Sequence, residues 1–375
     1  MSDTSTPEFD APHTDAALGA EWRTGRRMRQ GARQQRGKRS RLRRVLIGTG
    51  VSLGVLVMLV SAVVGGGYFY VNHVLSSIHR IPSIAALDAA DQPAVPAGFR
   101  RSMTVLLTGS ADVVAGQHGR GVLGSSTEPQ DKSGLIALVH LNANRRGGAV
   151  VSIPPNAVVR IPRHGRMPLW EALSIGGPSL LIRTVERLTH VRIDHYSVLD
   201  FKGLTGIVGA MHGVFVRVPF AFTSEGHFFH MGINHLGPHN VLAYVRQAQV
   251  SEIGRVLLQS NLIRAILRKI ARRNMFASPM IDFAVLHAVA RALSLDSNFS
   301  NTEVEALAIR LGHLDGKDGT FVTAPTINGS PITGDSEPVF LNRRISGLLW
   351  RAIRHDAVAA FALRFPFTVT PIAPA

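Results

Sequence analysis

The chain contains no cysteine. That excludes disulfides, thiolate metal sites and a cysteine nucleophile, so a domain outside the cell would be held together by its core alone. Acidic residues are also scarce. The 25 Asp and Glu stand against 41 Lys and Arg, a net charge of +16, which favours partners rich in negative charge. Several enzyme signatures are missing. There is no H-E-x-x-H and no Walker A loop, and after residue 71 no Ser sits in a G-x-S-x-G elbow, so zincin, P-loop and α/β-hydrolase chemistry find no support. No internal repeat is present.

What the chain has in quantity is apolar sequence near its start. From Val45 to Val71 there is no Asp, Glu, Lys or Arg in 27 residues, and a spanning helix needs about 20. The run predicts one transmembrane helix. A secretory signal peptide has a shorter apolar region, about 7 to 15 residues, and a small-residue cleavage site, and neither fits. Eleven Lys and Arg fall between Arg23 and Arg44, and residues 1–44 hold five acids. The positive-inside rule therefore makes 1–44 a cytoplasmic, disordered Arg-rich tail, with the main domain outside a plasma membrane that the chain crosses once. The tail could meet nucleic acid or anionic lipid headgroups. Beside a membrane helix the lipid reading is preferred, and nucleic acid is not expected as a partner. The tail carries +6 of the net charge and leaves +10 on the remainder, which suits anionic surface polymers or lipid phosphates.

Residues 72–101 read as a juxtamembrane segment, a short helix followed by a Pro/Ala linker, with the folded domain starting near Ser102. "MTVLLTG" (Met103 to Gly109), "GLIALVHLN" and "GAVVSIP" have the continuous apolar pattern of buried strands, the last two joined by a hairpin turn at "ANRRG". "HYSVLDF" and "GVFVRVP" are further strands. "PSLLIRTVERL", "VLAYVRQ" and the run from Glu252 to about Arg273 carry helical spacing. In the last third, "DFAVLHAVARALSL", "NTEVEALAIRLGHL" and "VFLNRRISGLLWRAIRHDAVAAFAL" read as helices and "GTFVTAPTI" as a strand. The alternation predicts an α/β fold, an α-β-α sandwich-like arrangement with a mixed central sheet covered by helices. Residues 102–273 form the main domain, and 274–375 are a C-terminal helical extension packed on it or continuing it.

Two local features invite chemistry. His227, His230, His235 and His239 fall close together, but without a recognised ligand spacing they read as a solvated His-rich loop. "TGSADVVAGQHGRG" (Thr108 to Gly121) is a strand-to-loop junction with four glycines, where α/β proteins bind ligands, and alone it reads as a surface loop. Arg246, on the helix with Tyr244, could bind phosphate through its planar fork or simply be exposed.

The order of "VLLTGS", "LIALVHLNANRRGGAVVSIP", "GGPSLLIRTVERLTHVRIDHYSVLDFKGLTGIVGAMHGVFVRVP" and "HLGPHNVLAYVR" after a basic tail and a membrane helix closely resembles the LytR-CpsA-Psr family, whose domain is also called the cell envelope-related transcriptional attenuator. The resemblance covers about residues 102–273. It implies a membrane-anchored extracytoplasmic protein that transfers glycopolymers from a polyprenyl-pyrophosphate carrier to peptidoglycan, with arginines and a Mg2+ ion held by aspartates neutralising the pyrophosphate. On this resemblance Arg246 and Arg255 bind phosphate, Gly109, Ser110 and Gln259 bind substrate, and Asp112 and Asp131 are the nearest acids for a metal.

The chain departs from the family where its charges should be. The strand-end pattern G-S-D-x-R is here Gly109-Ser110-Ala111-Asp112-Val113, and the second metal acid aligns on Ser133, two places from Asp131. In "VVSIPPNAVVRIP" the S-I-P-R-D pattern has become Ser152-Ile153-Pro154-Pro155-Asn156. A Lys and an Asn are missing near Pro168 to Glu171, and Ala248 and Leu258 stand where arginines are usual. The resemblance with these losses implies weakened or lost catalysis, a pseudoenzyme that still binds polyprenyl-linked glycan phosphate. The alternatives are an active phosphotransferase using Asp112, Asp131 and Glu252, and a non-enzymatic envelope scaffold or regulator.

Overall fold

Strands buried on both faces need apolar side chains on both, and the continuous apolar runs form one sheet in the computed structural model of the chain. The structure describes residues 65–67, 69–110, 134–144, 147–247, 250–272, 283–312, 319–327 and 338–370. After helical residues 70–76 (α1) come β1 (His79–Ile81), β2 (Met103–Ser110), β3 (Ile136–Leu141) and β4 (Gly148–Ser152). The ribbon β5 (Val158–Ile161) and β6 (Gly165–Pro168) leads to α2 (Leu169–Thr189), β7 (His195–Asp200) and α3 (Gly203–Ala210). There follow β8 (Val214–Val218), β9 (Phe222–Ser224), β10 (His227–Phe229), β11 (Gly232–Leu236), α4 (Val241–Arg246) and α5 (Glu252–Arg272). The chain continues through α6 (Phe283–Ala292), β12 (Leu293–Asp296), α7 (Asn301–Gly312), β13 (Gly319–Thr323), α8 (Arg343–Arg354) and α9 (Val358–Arg364).

The central sheet has seven strands in the order β1-β12-β7-β2-β3-β4-β13. β2 is parallel to β7 and β4 to β13, while β3 runs antiparallel between β2 and β4, so β2, β4, β7 and β13 all point the same way. Their carboxyl ends, Ser110, Ser152, Asp200 and Thr323, share one edge, where open α/β sheets place ligands. Alternation along the strands divides the core. Val105, Ala137, Val139 and Val150 join a cluster with α3 to α6, and Leu106, Ile136, Leu138 and Val151 join another with α2, α8 and α9. The result is a mixed sheet covered by helices on both faces.

Five expectations need correcting. Residues 72–101 are not a plain linker, because Val74, Leu75 and Ile78 are buried in the first cluster and β1 pairs with β12 as a strand of the central sheet. The C-terminal region is not wholly helical, since beside the expected strand, β13, it supplies β12. The helical pattern of "DFAVLHAVARALSL" stops at Ala292, where Leu293, Ser294 and Leu295 pair antiparallel with β7. The closing helix is two helices, broken at Asp356 (φ 52°), whose carboxylate accepts hydrogen bonds from the Ala143 amide (2.6 Å) and meets the buried His140 imidazole (2.8 Å). The helix expected from Pro178 is the second half of α2, which kinks where Gly177 adopts φ 62° before Pro178.

Among the described residues no helix is long and apolar enough to cross a membrane. The expected span, Val45 to Val71, lies outside the described residues up to residue 64.

Candidate functional site

At the end of β2, Gly109 has a packing reason to be glycine. A Cβ there would overlap the ring of buried Phe201, and the Gly109 amide donates to the Leu135 carbonyl at 2.8 Å. Ser110 follows in register with Asp200 of β7. Asp200 was not singled out from sequence, because "HYSVLDF" reads only as a strand. Its Oδ1 accepts the Lys202 amide at 2.9 Å, closing the turn into α3. Asp112 and Asp131 lie outside the described residues.

The exit of β4 is held from both sides. On the side of α5, Ser152 Oγ meets Ser260 Oγ at 2.7 Å with both residues buried. Beyond it the backbone of "PPNA" is committed. The Pro155 carbonyl accepts Trp170 N at 3.0 Å, the Asn156 carbonyl accepts Val339 N at 3.3 Å, and Ala157 N returns to the Pro154 carbonyl at 2.9 Å. Pro155 is buried and has neither a charge nor an amide hydrogen. The turn is thus fixed in place, and its own side chains between Ser152 and Ala157 carry no charge.

Sequence reasoning placed Arg246, Arg255 and Gln259 on two helices, and the structure ties those helices together. Gln259 is buried and donates from Nε2 to the carbonyl of Val245, the residue before Arg246, at 3.3 Å. Arg255 lies one turn before Gln259 on α5. Ser251 caps that helix, its Oγ accepting Gly254 N at 3.1 Å, while Arg255 N reaches the Ser251 carbonyl at 2.9 Å. The backbone puts Glu252 at the first residue of α5. Arg246 is half-buried and lies 4.0 Å from Glu225 of the β9–β10 turn, which is itself half-exposed, so the pair is loose and well solvated. The positive end of α5 and the two guanidinium groups suit an anionic ligand.

Further along α5, Arg264 was missed by sequence reasoning. It is buried, donates from Nη1 to the Thr370 carbonyl at 2.5 Å and stacks 5.0 Å from the centre of the Phe321 ring. Burial, reinforced by neighbouring Arg268, pulls its pKa down to about 10. The four candidate histidines are spread along β10, β11 and their flanking loops, with the His235 ring 4.9 Å from that of Phe215. Among the described residues no group of three His, Cys, Asp or Glu is placed to hold a metal ion.

A model of the LytR_cpsA_psr family matches residues 84–322. The chain belongs to that family. Among relatives named polyisoprenyl-teichoic acid–peptidoglycan teichoic acid transferase TagU, the protein of Bacillus anthracis is 27% identical over 225 residues, which is 58% of this chain and 69% of the relative. That of Enterococcus faecalis is 25% identical over 264 residues, 69% of this chain and 82% of the relative. Among solved structures, a LytR-Csp2A-Psr enzyme from Actinomyces oris matches with a TM-score of 0.54 at 18% identity, covering 74% of this chain and 95% of its own. Bacillus subtilis TagV matches at 0.53 and 20% identity, covering 69% and 98%. At these identities the structural likeness speaks for the fold alone.

Proposed function

We propose that this LytR_cpsA_psr family member is a membrane-anchored extracytoplasmic protein of cell-envelope assembly. It binds a polyprenyl-(pyro)phosphate-linked glycopolymer for transfer to peptidoglycan, with weakened or lost catalysis. Similarity to transferases named for polyisoprenyl-linked teichoic acid and peptidoglycan supports the ligand class. The observation that carries the rest is the β4 exit. It is locked in place by the Ser152–Ser260 contact and by the carbonyls of Pro155 and Asn156, and the resemblance aligns Pro155 and Asn156 with the family's phosphate-binding Arg and its Asp.

In this reading Arg246 and Arg255 neutralise the phosphates, and the capped start of α5 adds its partial positive charge. Gln259 positions the α4 end through the Val245 carbonyl. Loss of one preorganised electrostatic donor costs about 2.7–4 kcal/mol of barrier, so binding survives more readily than turnover. Mg2+ enters this reading only through Asp112 and Asp131. The described carboxylates do not gather into a metal-holding group, and no step is routed through the ion.

The test uses the full chain purified from membranes, with bound lipid identified by mass spectrometry. Polyprenyl phosphate is expected to co-purify and to be lost from an Arg246→Ala, Arg255→Ala double variant; its absence from the parent chain would sink the binding reading. On a polyprenyl-pyrophosphate substrate, the Pro155→Arg, Asn156→Asp variant is expected to exceed the parent. Parent turnover that Asp112→Ala, Asp131→Ala abolishes would replace this reading with that of an active transferase using displaced acids.

A further inference from the structure

The strands β8 to β11 form a bent hairpin ribbon of two short ladders, with β8 paired to β11 and β9 to β10. Its bend is pinned by Asn234, whose Nδ2 donates to the His230 carbonyl at 2.7 Å and whose Oδ1 accepts the His230 amide at 3.2 Å. The inner face is ordinary core, since Val214, Val216, Val218, Phe222, Phe229 and Leu236 are all buried. The outer face carries Phe215 (60% exposed), Phe228 (68%), Met231 (70%) and Ile233 (45%). Large apolar side chains lined up on the free side of a ribbon mark an interaction surface rather than a core.

Charge narrows the occupant. From Gly203 to Gln247 the one acid is Glu225, which already faces Arg246, whereas Arg217 stands on the outer face opposite Ile233. Behind the ribbon, α5 adds Arg268, Lys269 and Arg272 in its last turns, with Glu252 at its start as its one acid. Exposed aromatic and aliphatic side chains beside a cation, Arg217, on an acid-poor face have the composition of elements that lie in an anionic lipid interface.

Chain path gives a second line of support. Gly203 of α3 packs on Ala292 of α6, and Gly206 faces Ala288. The two helices are therefore antiparallel, and the carboxyl end of α3 lies with the start of α6. At that start the Phe283 ring meets Tyr70 edge-on, with centroids 4.5 Å apart, and Tyr70 is the next-to-last residue of the apolar run in sequence. From the same end, His212 and Gly213 turn the chain into β8 and its Phe215–His235 pair. The ribbon thus starts at the same end of the domain as the contact of Tyr70 with α6.

We infer that the outer face of the β8–β11 ribbon docks on the anionic lipid surface of the membrane that anchors the chain, holding the Arg246 end of the site close to the headgroups. This rests on the anchored reading given above. The test uses the full chain in nanodiscs, one copy per disc, with phosphatidylglycerol bearing brominated acyl chains. Phe228→Trp is compared with Leu363→Trp, whose side chain is 85% exposed on α9, a helix of the other face of the sheet. Both are read as differences from the parent, which has Trp22, Trp170 and Trp350. Emission from Phe228→Trp is expected to be quenched severalfold more strongly than from Leu363→Trp, less in brominated phosphatidylcholine, and less again with Arg217→Glu. Equal quenching at the two positions in a disc-retained chain overturns docking alone, whereas failure of the chain to stay in the disc overturns the anchored reading with it. A Phe228→Trp shift that follows protein concentration or added peptidoglycan instead of lipid would assign the face to a second copy or to glycan, and would equally overturn the proposal.

Discussion

α8 buries Leu349, Trp350 and Ile353 in the cluster on one face of the sheet, whereas α5 on the other buries Gln259, Ser260, Asn261 and Arg264 among its apolar side chains. α8 begins at an Asn342 cap, whose side chain accepts Ile345 N at 3.1 Å, and then presents an apolar stripe whose one buried polar side chain, Ser346, donates to the Pro325 carbonyl at 3.3 Å. Each buried polar group of α5 has a different partner. Gln259 reaches the Val245 carbonyl, Ser260 the Ser152 hydroxyl, Asn261 the Arg217 carbonyl and Arg264 the Thr370 carbonyl. Apolar burial is non-directional and tolerates small slides, while hydrogen bonds lose strength quickly off-geometry. The difference teaches that α8 supplies stability and α5 supplies position. The helix held at several named points is the one that carries Arg255.

The largest expected effect would come from breaking the stabilising side. Trp350→Ala removes the biggest side chain of the α8 stripe, and a buried Trp→Ala change costs about 3–5 kcal/mol. Urea denaturation of the folded domain should shift by that order, while the fraction that stays folded keeps whatever lipid phosphate co-purifies with the parent. A variant that melts like the parent but loses the lipid would place position-setting on α8 and break the contrast.

The same face also holds an exception to its apolar character. Glu186 of α2 is buried, with Oε1 accepting Ile193 N at 3.0 Å and lying 3.4 Å from Gln92 Nε2. Burial pushes its pKa up from 4.5 to about 7, against the opposing pull of the Ile193 amide and of Arg192. Below pH 4.5 the carboxyl is protonated in both the folded and unfolded chain, so it contributes no pH dependence there. Between pH 4.5 and about 7 the unfolded chain gives up the proton that the folded chain keeps, and stability falls as pH rises. Glu186→Gln is therefore expected to match the parent near pH 4 and to exceed it at pH 8, with a flatter melting temperature against pH. A parallel pair of profiles would show that the carboxylate is solvated despite its position.

How much of this was legible in the sequence depends on how local the cause is. β2, β3 and β4 were readable because burial on both faces leaves an unbroken apolar run. β12 was not, because "LSLD" continues the helical spacing of α6 and becomes a strand only through pairing with β7 and β1. The break between α8 and α9 was hidden for the same reason: Asp356 is claimed by His140 and Ala143, far away in sequence. At the candidate site, the family resemblance was what singled out Arg246, Arg255 and Gln259 and the uncharged Pro155 and Asn156. The contacts that hold them, Ser152 to Ser260 and Gln259 to Val245, join distant segments and leave no mark in either segment beyond a polar residue in an apolar run. Asp200 was overlooked because only the strand register puts it beside Ser110.

The smallest expected effect is the most discriminating. Arg264 is a buried cation whose depressed pKa means that the folded chain disfavours its charge, so it is a poor source of stability. Its two contacts, the Thr370 carbonyl and the Phe321 ring, both lie at the outer edge of the sheet, where β13 meets the C-terminal segment. Arg264→Met keeps the aliphatic stem and removes the charge. If α5 is there for position, global stability should change by less than about 1 kcal/mol or even rise. Hydrogen exchange should nonetheless quicken at Thr370, whose amide bonds the Phe321 carbonyl at 3.0 Å and whose own carbonyl has lost its donor. A large global loss with unchanged local exchange would mean that α5 stabilises as α8 does, and the distinction between the two helices would fall.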